Sequence, residues 1–190
     1  MNTILTSSHH FHLNSMKNSR VRKEATKIIE SYFSGSIIVS EPLFREEVDE
    51  ITIHLFYYTT SYHFSQKSME IFTNKMTQLF NKRVSIVLTR VHYPYMNSSI
   101  LAKYLAHNTT ANTFVHFHNA ILKYPKFVRN SLPSHITGIR IQVSGRLITE
   151  KTIPRVTTNS SVFGSLSNAS YIDYGYFTKK NYLGTFTIKV

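Results

Sequence analysis

Ile139-Arg140-Ile141-Gln142-Val143-Ser144-Gly145-Arg146-Leu147 is the stretch on which the reading of this chain turns. Apolar Ile139, Ile141 and Val143 alternate with polar Arg140, Gln142 and Ser144, the two-residue period of a β-strand. Gly145 permits a sharp backbone bend at the strand's end, and Arg146 follows it. Further segments of the same kind come after it: Ile153-Pro154-Arg155, Tyr171-Ile172-Asp173-Tyr174-Gly175 and Gly184-Thr185-Phe186-Thr187-Ile188-Lys189-Val190. Four strands are expected, at about 138–147, 149–157, 170–178 and 182–189. The polar, unpatterned stretch 157–170 is expected to be a loop.

Working back toward the start, the periodicity changes. Val21, Ala25, Ile28, Ile29 and Tyr32 recur at three and four within 18–33, leaving Arg20, Arg22, Lys23 and Lys27 on the other face of a helix. A strand is expected at 36–44, ended near Pro42, and Glu46, Glu47, Asp49 and Glu50 then read as a solvated turn. Segment 51–59 alternates and is rich in β-formers. Residues 67–82 read as an amphipathic helix with Met69, Ile71, Phe72, Met76, Leu79 and Phe80 on its apolar stripe. A strand at 84–92 follows, then Tyr93-Pro94-Tyr95 breaks the chain. Asn97 or Ser98 caps a helix running through Ile100, Leu101, Tyr104 and Leu105. A second helix is expected at about 112–123, and 124–134 with its two prolines is a connector. The whole is a mixed α+β chain with a boundary near residue 93.

Charge names the kind of partner. Of 190 residues, 22 are Lys or Arg and 10 are Asp or Glu, a net charge of +12 with a pI near 9.9. A small domain with that excess is suited to a polyanion, nucleic acid before an anionic membrane. The absence of cysteine excludes disulfides, thiolate zinc sites and a thiol nucleophile. No catalytic set is apparent: there is no phosphate-binding glycine loop, no His-Glu-x-x-His and no serine elbow. Asp173 is expected inside a strand, in a structural ion pair with an arginine. His116 and His118 are two apart, so on a helix they face different ways and share no metal. His9, His10 and His12 sit in a polar segment, 1–17, expected to be a disordered or extended tail. That segment resembles neither a secretory signal nor an Arg-rich presequence. Abundant Asn, Tyr, Phe, Ile and Lys with scarce Gly, Ala and Pro fit an AT-rich organellar gene.

Taken together, these segments resemble the universal small-subunit ribosomal protein S-three family in its fungal mitochondrial form. The likeness rests on 84–106, from Val84 through Arg90, Tyr93-Pro94-Tyr95 and Lys103-Tyr104-Leu105-Ala106, on Val143-Ser144-Gly145-Arg146-Leu147, on Ile153-Pro154-Arg155, on Ile172-Asp173-Tyr174 and on 184–190. It implies a KH-like domain of the bacterial type over 18–93. A C-terminal α+β domain over 94–190 would set two helices against a mainly antiparallel four-stranded sheet. The family is structural, binds ribosomal RNA in the small-subunit head near the messenger entry channel, and packs beside other head proteins.

Two family features are altered. The KH clamp is a Gly-x-x-Gly loop that brings backbone N–H groups to phosphate. Its place here, Thr59 to Lys67, holds no glycine. In bacterial members a basic second C-terminal helix faces messenger. Here 114–123 carries Val115, His116, His118 and Asn119 where Arg and Lys are expected, and neutral His attracts phosphate little. Messenger contact is therefore expected to be weak or indirect.

The expected RNA contacts are Arg140, Arg146, Lys151 and Arg155 on or between adjacent strands, and Lys179 and Lys180 before the last one. Arg20, Arg22, Lys126 and Arg129 are further candidates. A guanidinium fork grips two phosphate oxygens. No catalytic residue, metal or cofactor is expected, nor a membrane partner or homo-oligomer. The location implied is the mitochondrial matrix, with the gene in the organelle. The rival readings are an organellar nuclease or maturase, which needs converging acidic metal ligands, and a ribosome-assembly or peripheral membrane factor, which needs a basic amphipathic helix.

Overall fold

A computed structural model describes residues 13–35, 37–59, 66–108, 138–145, 158–164, 171–181 and 184–190. Its elements are α1 (Leu13–Tyr32), β1 (Ile37–Val39), β2 (Leu43–Glu46), β3 (Glu50–Thr59), α2 (Gln66–Phe80), β4 (Arg83–Arg90), a short 3-10 helix (Pro94–Met96), α3 (Ser98–Asn108), β5 (Gly138–Gly145), β6 (Asn159–Gly164), β7 (Tyr176–Asn181) and β8 (Gly184–Lys189). The architecture is α+β, with three α-helices among the described residues and two sheets. The helix expected at 112–123, the connector after it, the strand expected at 149–157 and residues 1–12 of the segment expected as a tail lie outside the described residues, while the rest of that segment, 13–17, opens α1.

In the first sheet, β1 and β2 each pair antiparallel with β3. Ile37 lies opposite Thr59, whereas Leu43 lies opposite His54, so the register slips by one residue between them. Glu41-Pro42 occupies that slip, where a proline is tolerated because the ladder is interrupted. The strand expected to end near Pro42 therefore resumes after it. β4 also pairs with β3. Arg83 N–H donates to Asp49 O and Val91 N–H to Tyr57 O. These bonds advance in the same sense along both strands, so β4 runs parallel to β3, with α2 as the crossover.

The chain divides into two units. The first gathers α1, β2, the start of β3, α2 and the first part of β4. Its helices face each other through Ala25, Ile29 and Phe33 and through Phe72 and Met76, all buried and spaced by four. Tyr32 stacks on Phe72 at 4.3 Å between ring centres. Ile71, assigned by spacing to the apolar stripe, is instead 60% exposed, because the buried seam of α2 runs through its neighbour Phe72. Asn81 ends α2 in the left-handed region, which Asn tolerates.

The acidic segment is not simply a solvated turn. Glu46 closes β2 and accepts from Arg22 at 2.7 Å and Lys82 at 3.1 Å, tying α1 and the approach to β4 onto one carboxylate. Hydrogen bonds from Lys82 and then Arg22 hold its carboxyl below the ordinary value. A lowered carboxylate stabilises the fold above its unfolded value, and that contribution is lost as pH falls through the folded one. Glu46→Gln is expected to cost about 0.5–1 kcal/mol at pH 7 in urea unfolding, the scale of partly exposed ion pairs. The difference from wild type should shrink as pH drops below 4.5.

The second unit holds β1, the ends of β3 and β4, the 3-10 helix, α3 and the second sheet. That sheet runs β6-β5-β8-β7, antiparallel throughout. Leu101, Leu105 and Ala106 of α3 pack with Ile139, Ile141 and Val143 of β5 and with Phe186 and Ile188 of β8 in one buried cluster. β6 was not expected: 159–164 has the polar composition of a loop. Among the described residues it is an edge strand paired along β5, Gly138 opposite Gly164 through Val143 opposite Asn159, and an edge needs less apolar content. Conversely, 171–175 precedes β7 as irregular chain and is not part of the strand expected at 170–178.

Candidate nucleic-acid interface

Alternation along the second sheet sorts its side chains into two faces. Ile139, Ile141, Val143, Phe186 and Ile188 are buried beneath α3. Arg140, Val162, Tyr176, Thr178, Lys180, Thr185 and Lys189 are exposed on the opposite face. The register sets their neighbours. Arg140 lies opposite Val162, Gln142 is flanked by Ser160 and Lys189, Lys189 lies opposite Tyr176, and Lys180 lies opposite Thr185. Thr178 and Thr187 share a hydroxyl hydrogen bond of 2.9 Å across the same face. The outward residues described thus include three cations and no carboxylate. Gly145, with φ of 101°, ends β5 with its α-carbon against Thr185 and Phe186, where no β-carbon fits.

The expected contacts separate accordingly. Arg140 and Lys180 lie on the outward face. Lys179, one residue along, points the other way and donates to Ala106 O at 3.2 Å near the end of α3, where a cation answers the helix dipole. Arg22 is engaged by Glu46 and lies 6.0 Å from the Phe44 ring centre, and Arg20 pairs with Glu24 at 3.2 Å. Arg146, Lys151, Arg155, Lys126 and Arg129 lie outside the described residues. Lys189 was missed. Its signal was the alternation Phe186, Ile188 against Thr187, Lys189, which puts the lysine on the same face as Arg140.

Asp173 behaves differently from the expected ion pair. Its carboxylate accepts the Ser98 N–H through Oδ2 and the Tyr174 N–H through Oδ1, both at 3.0 Å. A helix start leaves N–H groups without partners, and a carboxylate there is favoured by hydrogen bonding and by the dipole. Asn97 completes the cap by accepting from Ile100 N–H at 3.0 Å. Gly175 lies directly on the backbone of Ser98 and Ser99, leaving no room for a β-carbon, and exchanges two backbone hydrogen bonds with Val190. Segment 171–175 is thereby fixed at the start of α3.

Elsewhere on α3, Lys103 is buried and donates to Val39 O at 3.0 Å, supplying the acceptor a buried ammonium needs. Burial, with Tyr58 beside it, raises the Tyr104 phenol. Burial, then the charges of Lys179 and Lys103, hold the His107 imidazole below its ordinary value, so it is neutral at pH 7. Among the described residues no group of three or more His, Asp or Glu is placed to hold a metal ion. None of the described helices is long and apolar enough to cross a membrane.

Residues 37–190 match the family model described as mitochondrial ribosomal protein (VAR1). The chain belongs to that family. It is also 42% identical over 184 positions to a protein of Mycosarcoma maydis named small ribosomal subunit protein uS3m, covering 82% of this chain and 67% of that one. The VAR1-family chain is thus a ribosomal protein of mitochondria and not an enzyme, which removes the nuclease reading. Replacing Asp173 by Ala is expected to lower its stability by about 1 kcal/mol in urea unfolding through loss of the α3 cap, with Asn in its place recovering much of it.

Proposed function

We propose that this VAR1-family protein is a structural constituent of the mitochondrial small ribosomal subunit that holds ribosomal RNA on the outward face of its C-terminal sheet. The observation that carries this reading is the face itself: Arg140, Lys180 and Lys189 exposed with no carboxylate among the outward residues described. From 138 to 190 the chain has seven Lys and Arg against two acids, Glu150 and Asp173, and Asp173 is turned onto backbone N–H groups. Such a surface attracts phosphate with little to repel it, and α3 behind it fixes the cations in register.

The site in the assembled particle is the subunit head near the messenger entry channel, beside other head proteins, with messenger touched weakly or indirectly. Arg146, Lys151 and Arg155, which lie outside the described residues, are further candidates for phosphate contact by their basic character alone, and Arg20, Arg22, Lys126 and Arg129 are secondary. Residues 18–93 are KH-like and serve as scaffold. The helix, the antiparallel strands, and the parallel β4 reached through α2 support that reading, while the glycine-free stretch 59–67 argues against a working KH clamp. The organellar composition fits a gene carried by the mitochondrion.

The mechanism is electrostatic. Each phosphate neutralised releases counterions, so affinity falls with salt at a log–log slope of about −0.7 to −0.9 per contact. Arg140→Ala with Lys180→Ala and Lys189→Ala is expected to weaken binding to small-subunit ribosomal RNA and to flatten that slope by about 2 to 3. The far-UV spectrum should not change, because all three side chains are exposed. An unaltered slope in a folded variant would place the contacts elsewhere.

A further inference from the structure

We infer that Tyr174 and Tyr176, at the edge of the cationic sheet face, form a stacking platform for unpaired nucleotides, so that the RNA segment held there is single-stranded or bulged rather than continuous duplex. The inference rests on the RNA-binding reading of that face.

Four large side chains in one short segment stand in solvent: Tyr171 is 80% exposed, Ile172 70%, Tyr174 63% and Tyr176 52%. The Tyr174 and Tyr176 rings lie 6.2 Å apart, tilted by 35°. At that spacing no base fits between them, so a base stacks on an outer ring face of the pair. The backbone beneath is fixed at three points: the Asp173 cap on α3, the Gly175 contact with Ser98 and Ser99, and the two bonds to Val190. Exposed rings on a fixed backbone lose little freedom when they bind.

The surroundings choose the partner. Lys189 lies directly opposite Tyr176, and Lys180 stands on the same face of β7. Charged residues are depleted from the core of a protein–protein interface, whereas alternating rings and cations are what a nucleic-acid strand requires, the rings for bases and the cations for phosphates. Asp173, the acid adjoining the rings, has both oxygens on backbone N–H groups. A duplex keeps its base faces within its own stack, so only unpaired bases present a face to a tyrosine.

The test uses the full chain and two RNA probes, a 12-nucleotide oligoadenylate and a 12-base-pair duplex, titrated over a range of salt. Tyr174→Leu with Tyr176→Leu should lower affinity for the single strand about tenfold or more while leaving its salt slope and the duplex affinity unchanged. Tyr174→Phe with Tyr176→Phe should bind as wild type, since stacking uses the ring and not the hydroxyl. The chain has no tryptophan, so Tyr176→Trp provides a unique indole emission, expected to be quenched by the single strand and not by the duplex. Absence of quenching, or equal losses on both probes, overturns the stacking inference while a steep salt slope keeps the RNA-binding reading. Salt-independent binding to both probes would sink that reading instead. If a purified head protein, and not RNA, quenches the indole emission of the Tyr176→Trp variant, the platform is a protein contact and the inference fails.

Discussion

The contact between α3 and one face of the β5–β8 sheet organises the second unit. Leu101, Leu105 and Ala106 remove Ile139, Ile141, Val143, Phe186 and Ile188 from water, each large side chain contributing about 1.5–3 kcal/mol of hydrophobic stabilisation. Because strand side chains alternate, covering one face commits every second residue to the other. Arg140, Lys180 and Lys189 stand outward because the residues beside them in each strand turn to the α3 side, and a slip of one residue would exchange the two sets. The electrostatic surface is thus a consequence of the hydrophobic one.

That arrangement also explains which basic residues are free for a polyanion. Lys179 and Lys180 are adjacent, yet the pleat sends Lys179 to the carbonyl of Ala106 and Lys180 to solvent. Lys103 is drawn inside by Val39 O, and Arg22 is held by Glu46. Net charge alone would have counted all of these as equivalent. The structure divides them into cations that satisfy the protein's own acceptors and cations that face outward, and the C-terminal sheet gathers Arg140, Lys180 and Lys189 of the outward set on one face.

Much of this was legible in the chain because it is local. The alternation at 139–143 and 186–189 marks two strands, the three-and-four spacing of Ala25 and Ile29 marks α1, and Asn97 before an apolar run marks the start of α3. What was not legible depends on partners distant in sequence. β6 has the composition of a loop and becomes a strand only because β5 offers an edge. Asp173 looks like a strand acid until Ser98, far back in the chain, brings it a free N–H. Glu46 looks solvated until Arg22 and Lys82 converge on it. Tyr174 and Tyr176 read as strand aromatics, and their exposure follows from segment 171–175 lying across the start of α3. Family resemblance carried the identity, and the register carried the assignment of faces.

On the proposal above, ribosomal RNA occupies the outward face of the C-terminal sheet. Ultraviolet cross-linking of intact mitochondrial small subunits, followed by mass-spectrometric mapping of the cross-linked peptides, tests it most directly. RNA adducts are expected on peptides carrying Arg140, Tyr174, Tyr176, Lys180 and Lys189. Adducts confined to α1 and α2, with the C-terminal sheet free of them, would contradict it.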